Sequence, residues 1–219
     1  MVAEADAGDA DRAVTSAVEA FERGPWPRMT GAERGRLLRR LADLVRRDLE
    51  PLVALEALDG GKPVSASRRQ DLPAVIDCLE YYAGWADKIH GEVIPVRPDA
   101  FTWTTRQPVG VVAAIVPWNF PLMNAVWKIA PALACGCTVV LKPAELTPLS
   151  ALHLGALALE AGFPPGVLNI VPGYGATVGA ALVRDPRVNK ISFTGSPGVG
   201  RQIMHAAADN VTRVGLELG

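Results

Sequence analysis

A chain of 219 residues, 49% of them hydrophobic, has the length and composition to bury a sizeable core. Its 22 basic and 23 acidic residues leave a net charge of -1, and no basic patch is interleaved with aromatics, which argues against nucleic acid as a partner. No apolar run is long enough to span a bilayer, and the acidic start "MVAEADAGDADRA" lacks the basic and apolar regions of a secretion signal, so a cytoplasmic protein without a membrane partner is expected.

In chain order, the first strong signal is "TGAERGRLLRRLADLVRRDLE". Thr30 with Glu33 three residues later is a capping box, and Leu37, Leu38, Leu41, Leu44, Val45 and Leu49 recur at helical spacing. The arginines between them read as a solvated face. A second helical stretch runs from about Ser65 to Lys88, with Pro73 expected to break or kink it. "GEVIPVRPDAFTWTTRQPVG" then reads as a β-hairpin: Val93–Val96 and Phe101–Thr105 flank the turn residues, and their alternation predicts one exposed face.

From Val111 onward, apolar strands alternate with helices. "VVAAIV", "TVVLK", "VLNIV", "KISFT" and "RVGLEL" are the strands. Pro121 is expected to open the first intervening helix, and Thr147 to cap the second, which Gly162 closes. "ATVGAALV" and "PGVGRQIMHAAA" complete the series. Strands buried on both faces predict an α/β fold: a doubly wound, parallel, Rossmann-like sheet with N-terminal helices and a protruding hairpin arm. The expected layout is a helical segment over 1–92 packed on the cofactor domain, an arm over 93–106, and a Rossmann-like domain over 107–219.

In such sheets, ligands bind beyond the carboxyl ends of the strands, where the unusual residues of this chain lie. "VPWNFP" brackets Trp118, Asn119 and Phe120 between two prolines, so Asn119 is either a rigidly held oxyanion donor or a helix cap. "LKPAE" sets Lys142 and Glu145 three residues apart. At a nucleotide site Lys142 would donate to ribose or phosphate and Glu145 would accept the ribose hydroxyls and disfavour NADP; otherwise they are turn charges. "GYGATVG" is not a G-x-G-x-x-G fingerprint, because Gly179 comes one position late, and a plain tight turn accounts for it equally well. In "FTGSPGVG", Gly195 and Ser196 precede a helix start suited to a pyrophosphate, or Ser196 is a simple cap. A nucleophile elbow is excluded, because Thr194 stands where G-x-S-x-G needs glycine. The three cysteines, Cys78, Cys135 and Cys137, are odd in number and lack metal-ligand spacing. They read as reduced, buried thiols, and no metal is expected.

Taken together, "VPWNFPLMNAVWKIAPALACGCTVVLKPAELTPLSAL", "GFPPGVLNIVPGYG", "KISFTGSPGVGRQIM" and "RVGLELG" resemble the NAD(P)-dependent aldehyde dehydrogenase superfamily, in order and along essentially the whole chain. The resemblance implies NAD as cofactor in preference to NADP, and a small-molecule aldehyde as substrate. It makes Asn119 the oxyanion-stabilising amide, Glu217 the base that activates water, and Lys128 a supporting lysine. The cofactor residues it implies are Val116, Pro117 and Trp118 after the first strand, and Lys142, Pro143, Ala144 and Glu145 after the second. Gly175, Phe193, Gly195, Ser196, Val199, Gly200 and Leu218 follow. Phe120, Met123 and Trp127 would line the aldehyde tunnel.

The implied reaction has a cysteine thiolate attack the aldehyde, a hydride leave for the nicotinamide, and Glu217 promote hydrolysis of the thioester. Among apolar strand residues, Glu217 is expected to be enclosed and to have a raised pKa. In the family the nucleophilic cysteine follows "LELG", so this chain reads as the N-terminal, cofactor-binding portion. Alone it is expected to be inactive and poorly soluble, whereas the full-length form is expected to be a homo-oligomer joined through the hairpin. The alternative is a non-catalytic module that binds a dinucleotide or pairs subunits.

Overall fold

The computed structural model describes residues 2–219. Its first element lies within the expected helical segment but was not singled out there: the acidic, Ala-rich N-terminus is helix α1 (Ala7–Glu22). The Asp6 carboxylate accepts from the Asp9 amide, and the Asp9 carboxylate accepts from the Asp6 amide. This capping box uses aspartate at both positions in place of Ser/Thr and Glu. The buried stripe of α1 is Ala10, Val14, Ala17 and Ala20. These small side chains allow close approach to the sheet but give little sequence signal.

Helix α2 (Gly31–Arg47) starts as expected, with Thr30 and Glu33 exchanging capping bonds, and buries Leu37, Leu38, Leu41 and Val45. After Asp48 the chain restarts as α3 (Leu49–Gly60), which Gly61 ends in a left-handed conformation at φ 65°. A single turn, α4 (Val64–Ala66), and a π turn (Ser67–Asp71) lead into α5 (Leu72–Trp85). Pro73 lies in the first turn of α5, so the irregularity expected there falls in the π turn just before it, where the ring would meet the carbonyl four residues earlier.

The hairpin is shorter than expected: β1 (Val93–Ile94) pairs antiparallel with β2 (Thr102–Trp103). Val93, Ile94, Phe101 and Trp103 are all exposed, so the arm does not divide into one buried and one exposed face. With two residues per strand it has too little surface to hold a layer of its own.

The sheet comprises β3 (Val111–Ile115), β4 (Thr138–Lys142), β5 (Leu168–Ile170), β6 (Val188–Thr194) and β7 (Arg213–Glu217), all parallel, in the order β5-β4-β3-β6-β7. Helices α6 (Pro121–Ala134) and α7 (Leu149–Ala161) cross on one face, and α8 (Ala180–Arg184) and α9 (Pro197–Asp209) on the other. Alternate residues of β3 divide the core. Val112 and Ala114 enter the layer formed with α2, α3, α5, α6 and α7, while Val111, Ala113 and Ile115 enter the layer with α1, α8 and α9. This is the doubly wound α/β sheet that the strand pattern predicted. The N-terminal helices share its core: Trp26 is fully buried, and its Nε1 donates to the carbonyls of Gly136 and Cys137 at 2.9 and 3.1 Å.

Two local expectations are corrected. Thr147 does not cap α7: Pro148 holds the cap position, and the Leu149 amide donates instead to Asp59 Oδ2 (2.8 Å), brought in by α3. The cysteines are free, but only Cys137 is buried; Cys78 is half-buried and Cys135 exposed, because Cys135 follows the last turn of α6 outside the core.

Candidate active site

The chain winds outward from β3 to β5 and then returns to β6, on the other side of β3, so the order reverses at the β3–β6 boundary. Loops leaving adjacent strands in opposite directions open a crevice there, and a cleft of about 550 Å³ occupies it. Its wall after β3 is Val116, Pro117 and Trp118, and after β4 it is Lys142, Ala144 and Glu145. Gly175 borders it from the π turn (Gly175–Gly179) before α8, and Phe193, Gly195, Ser196 and Val199 close it from β6 and α9.

Three residues expected at the cofactor lie just outside the lining. Pro143 contributes its carbonyl to the Lys142 ammonium (2.8 Å). Gly200 and Leu218 pack on each other: a Cβ at Gly200 would stand 2.7 Å from Leu218 Cδ2, so glycine there lets the exit of β7 lie close against α9. The cleft also takes in Gly179 and Thr194, neither of which was expected at the cofactor. Gly179 comes one residue late for a G-x-G-x-x-G fingerprint. A π turn contains one residue more than an α turn, and that extra residue is absorbed between Gly175 and Gly179.

Lys142 sets the electrostatics of the floor. Its side chain is buried, and Nζ donates to the carbonyls of Pro143 and Gly173 (2.8 and 2.7 Å) while Glu145 Oε2 stands 3.5 Å away. Burial lowers the lysine pKa, and the Glu145 charge opposes this. An ammonium has three donors; two are committed to carbonyls, which leaves the third for Glu145 at 3.5 Å, and both side chains line the cleft. On the opposite wall, Ser196 caps α9 by accepting from the Val199 amide at 3.4 Å. The Gly195 amide donates to the Glu217 carbonyl (3.0 Å), which binds the β6 and β7 exits together. The first turn of a helix carries amides without intrahelical partners and the positive end of its dipole. A cleft with a lysine and a carboxylate on one side and a helix start on the other fits a dinucleotide: ribose beside Lys142 and Glu145, pyrophosphate beside α9.

The residues expected to do the chemistry lie along the same edge. Asn119 is exposed on the turn between Val116 and Pro121, and Phe120 beside it is half-buried. Lys128 of α6 reaches across to β6, with Nζ 3.3 Å from Ser192 Oγ. Burial pushes the Lys128 pKa down, and the charge of Glu217, on the neighbouring strand, resists that shift. Lys128 and Glu217 are thus within electrostatic reach of one another. Glu217 itself is exposed, not enclosed as its apolar strand had suggested, because β7 is the edge strand of the sheet. Trp127 is exposed on α6, whereas Met123 is half-buried and packs against the main core.

None of the three thiols reaches this edge. Cys135 and Cys137 precede β4, whose five residues separate them from Lys142 by about 16 Å. Burial pushes the thiol of the half-buried Cys78, on α5, up to about 11. Among the described residues no group of three or more His, Cys, Asp or Glu could hold a metal ion, and no helix is long and apolar enough to cross a membrane.

The whole chain has close relatives. It is 58% identical to retinal dehydrogenase 2 of Homo sapiens and 57% identical to aldehyde dehydrogenase 1A1 of Gallus gallus, in each case over 100% of this chain. It spans 42% and 43% of the lengths of those proteins, respectively. The fold superposes on an aldehyde dehydrogenase of Bacillus cereus solved as its NAD+ complex with a TM-score of 0.98 at 50% identity, covering all of this chain and 44% of that one. The family model "aldehyde dehydrogenase family" matches residues 1–219, and the chain belongs to that family.

Proposed function

We propose that these residues form the cofactor-binding part of an NAD-dependent enzyme that oxidises a small-molecule aldehyde to a carboxylic acid. The observation that carries this reading is the cleft at the strand-order reversal, where the Lys142–Glu145 pair faces the start of α9. NAD+ bound there would accept the hydride. In this reading Glu145 accepts from the ribose hydroxyls, and its charge opposes the 2′-phosphate of NADP, so NAD is preferred. Trp118, Val116 and Pro117 lie along the cofactor, and Ser196 and Gly195 expose the helix start to the pyrophosphate.

Asn119, held between two prolines, donates to the substrate oxygen as charge develops on it. Glu217 takes the proton from the attacking water, and Lys128 is the supporting lysine beside it. Phe120, Met123 and Trp127 form the apolar wall against the aldehyde. The attacking thiol is none of Cys78, Cys135 and Cys137: the last two precede β4, at its end away from this edge, and burial holds Cys78 as a protonated thiol. The layout is a helical segment over 1–92, an arm over 93–106 and a cofactor domain over 107–219. The exposed Val93, Phe101 and Trp103 of the arm support pairing with a second copy. Three free thiols favour a reducing, cytoplasmic setting.

The test is kinetic, in the polypeptide that carries the attacking thiol. Asn119→Ala is expected to lower kcat on the order of a hundredfold. Glu217→Gln is expected to release one equivalent of NADH per site and then stall, as hydrolysis fails. Unchanged steady-state turnover in both variants would overturn the reading.

A further inference from the structure

Beneath the turn that carries Asn119 lies a set of charged side chains that the cofactor cleft does not use. Lys62, in the loop after α3, and Asp71, at the end of the π turn, form a largely buried ion pair. Lys62 Nζ also stands over the ring of Phe120, 3.6 Å from its centroid. The contact with Asp71 is close but poorly aimed. No oxygen among the described residues accepts a directed hydrogen bond from Nζ, and Asp71 Oδ2 likewise lacks a directed donor. The charge of Lys62 is therefore met by Asp71 and by the face of Phe120.

Glu56, buried in α3, holds the far side of the turn. Its carboxylate accepts from the Leu122 amide (3.2 Å), in the first turn of α6, and from the Ser150 hydroxyl, in the first turn of α7. Burial raises its pKa, while those two hydrogen bonds and the Lys62 charge pull the other way. The segment Asn119–Leu122 is thus gripped twice, at the Phe120 ring and at the Leu122 amide, with Asn119 adjoining the first grip.

Stability does not account for such a set. Desolvating two charges offsets most of their attraction, and apolar side chains of similar shape commonly replace a buried ion pair without loss. An ammonium over an aromatic face does, however, restrict where the ring can lie. We propose that Lys62 and Asp71, with Glu56 as the second anchor, are positioning residues that fix the direction of the Asn119 side chain through Phe120 and Leu122. The consequence for catalysis rests on Asn119 being the oxyanion donor; the positioning does not.

The experiment compares Lys62→Met with Lys62→Met/Asp71→Leu. The single variant leaves Asp71 buried without a counter-charge and should lower Tm; the double variant should recover it. The side-chain amide resonances of Asn119, assigned by their loss in Asn119→Ala, should be displaced in both, and NADH affinity should be unchanged in both, since Lys62 is outside the cleft. In the thiol-bearing polypeptide, kcat should fall at least on the order of tenfold. Recovery of the Asn119 resonances together with Tm in the double variant would mean a purely structural role and would overturn the proposal. Displaced resonances with unchanged kcat would uphold the positioning and overturn the oxyanion reading. If the double variant does not fold, Lys62→Gln, which keeps a donor toward Asp71 but removes the cation over the ring, carries the same expectation for Asn119.

Discussion

Lys142 and Glu145 are the residues through which the cleft would choose its cofactor. The ammonium is fixed by two backbone carbonyls, whereas the carboxylate is exposed at the rim and touches Lys142 at 3.5 Å. Replacing Glu145 would remove the negative charge proposed to face the ribose, while the carbonyls of Pro143 and Gly173 still hold the lysine in place. Glu145→Ser is therefore expected to improve NADPH affinity relative to NADH by about tenfold, or about 1.4 kcal/mol, measured by parallel titrations. Equal affinities for both cofactors in the unsubstituted protein would contradict the role given to Glu145. This pair was legible in the sequence because its members are three residues apart. The Lys62–Phe120 contact joins residues far apart in the chain, and no local pattern announces it.

At the scale of elements, the sheet was legible and some of the helices were not. Continuous apolar runs such as "VVAAIV" and "TVVLK" have one reading when turn residues separate them, and all five strands formed. Helix α1 escaped because its buried stripe is three alanines and a valine, which scarcely differ from an Ala-rich linker. Just beyond its C-terminal end, Trp26 enters the core on the other face of the sheet. Trp26 has no exposed surface and stacks 5.8 Å from Phe163. Trp26→Ala is expected to cost about 3–5 kcal/mol, read as a lower urea midpoint; a loss under 1 kcal/mol would show that the site collapses around the smaller side chain.

A second tie between elements is ionic. Asp48, between α2 and α3, pairs with Arg47 and with His153 of α7 at 2.7 and 2.8 Å. The Arg47 hydrogen bond and then the His153 hydrogen bond hold its pKa at about 2, below the ordinary 3.8. A folded-state value below the unfolded one means that the contribution is present above about pH 4 and is lost as pH falls toward 2. Asp48→Asn is expected to flatten the dependence of Tm on pH in that window and leave its shape at neutral pH unchanged. Because the arginine is half-exposed, the effect should be modest and should weaken with salt.

For the molecule as a whole, the position of the cleft follows from one topological fact: the strand order reverses at the β3–β6 boundary, and every loop after a strand of the parallel sheet opens toward the same edge. The sequence showed that the unusual residues follow strands, which located the edge. It did not show how they divide between cleft and support. Gly200 and Leu218 pack on each other beside the cleft lining, a contact that no local pattern announces, and Glu217 looks enclosed until β7 proves to be the edge strand. The most direct test of the whole account is an amide chemical-shift map of the 219-residue chain titrated with NAD+. The account predicts saturable shifts confined to Val116–Trp118, Ala144–Glu145, Gly175–Gly179 and Thr194–Gly200. No saturable shifts at millimolar NAD+, or shifts centred on another surface such as the groove between Val2–Ala5 and Asn169–Pro172, would contradict it.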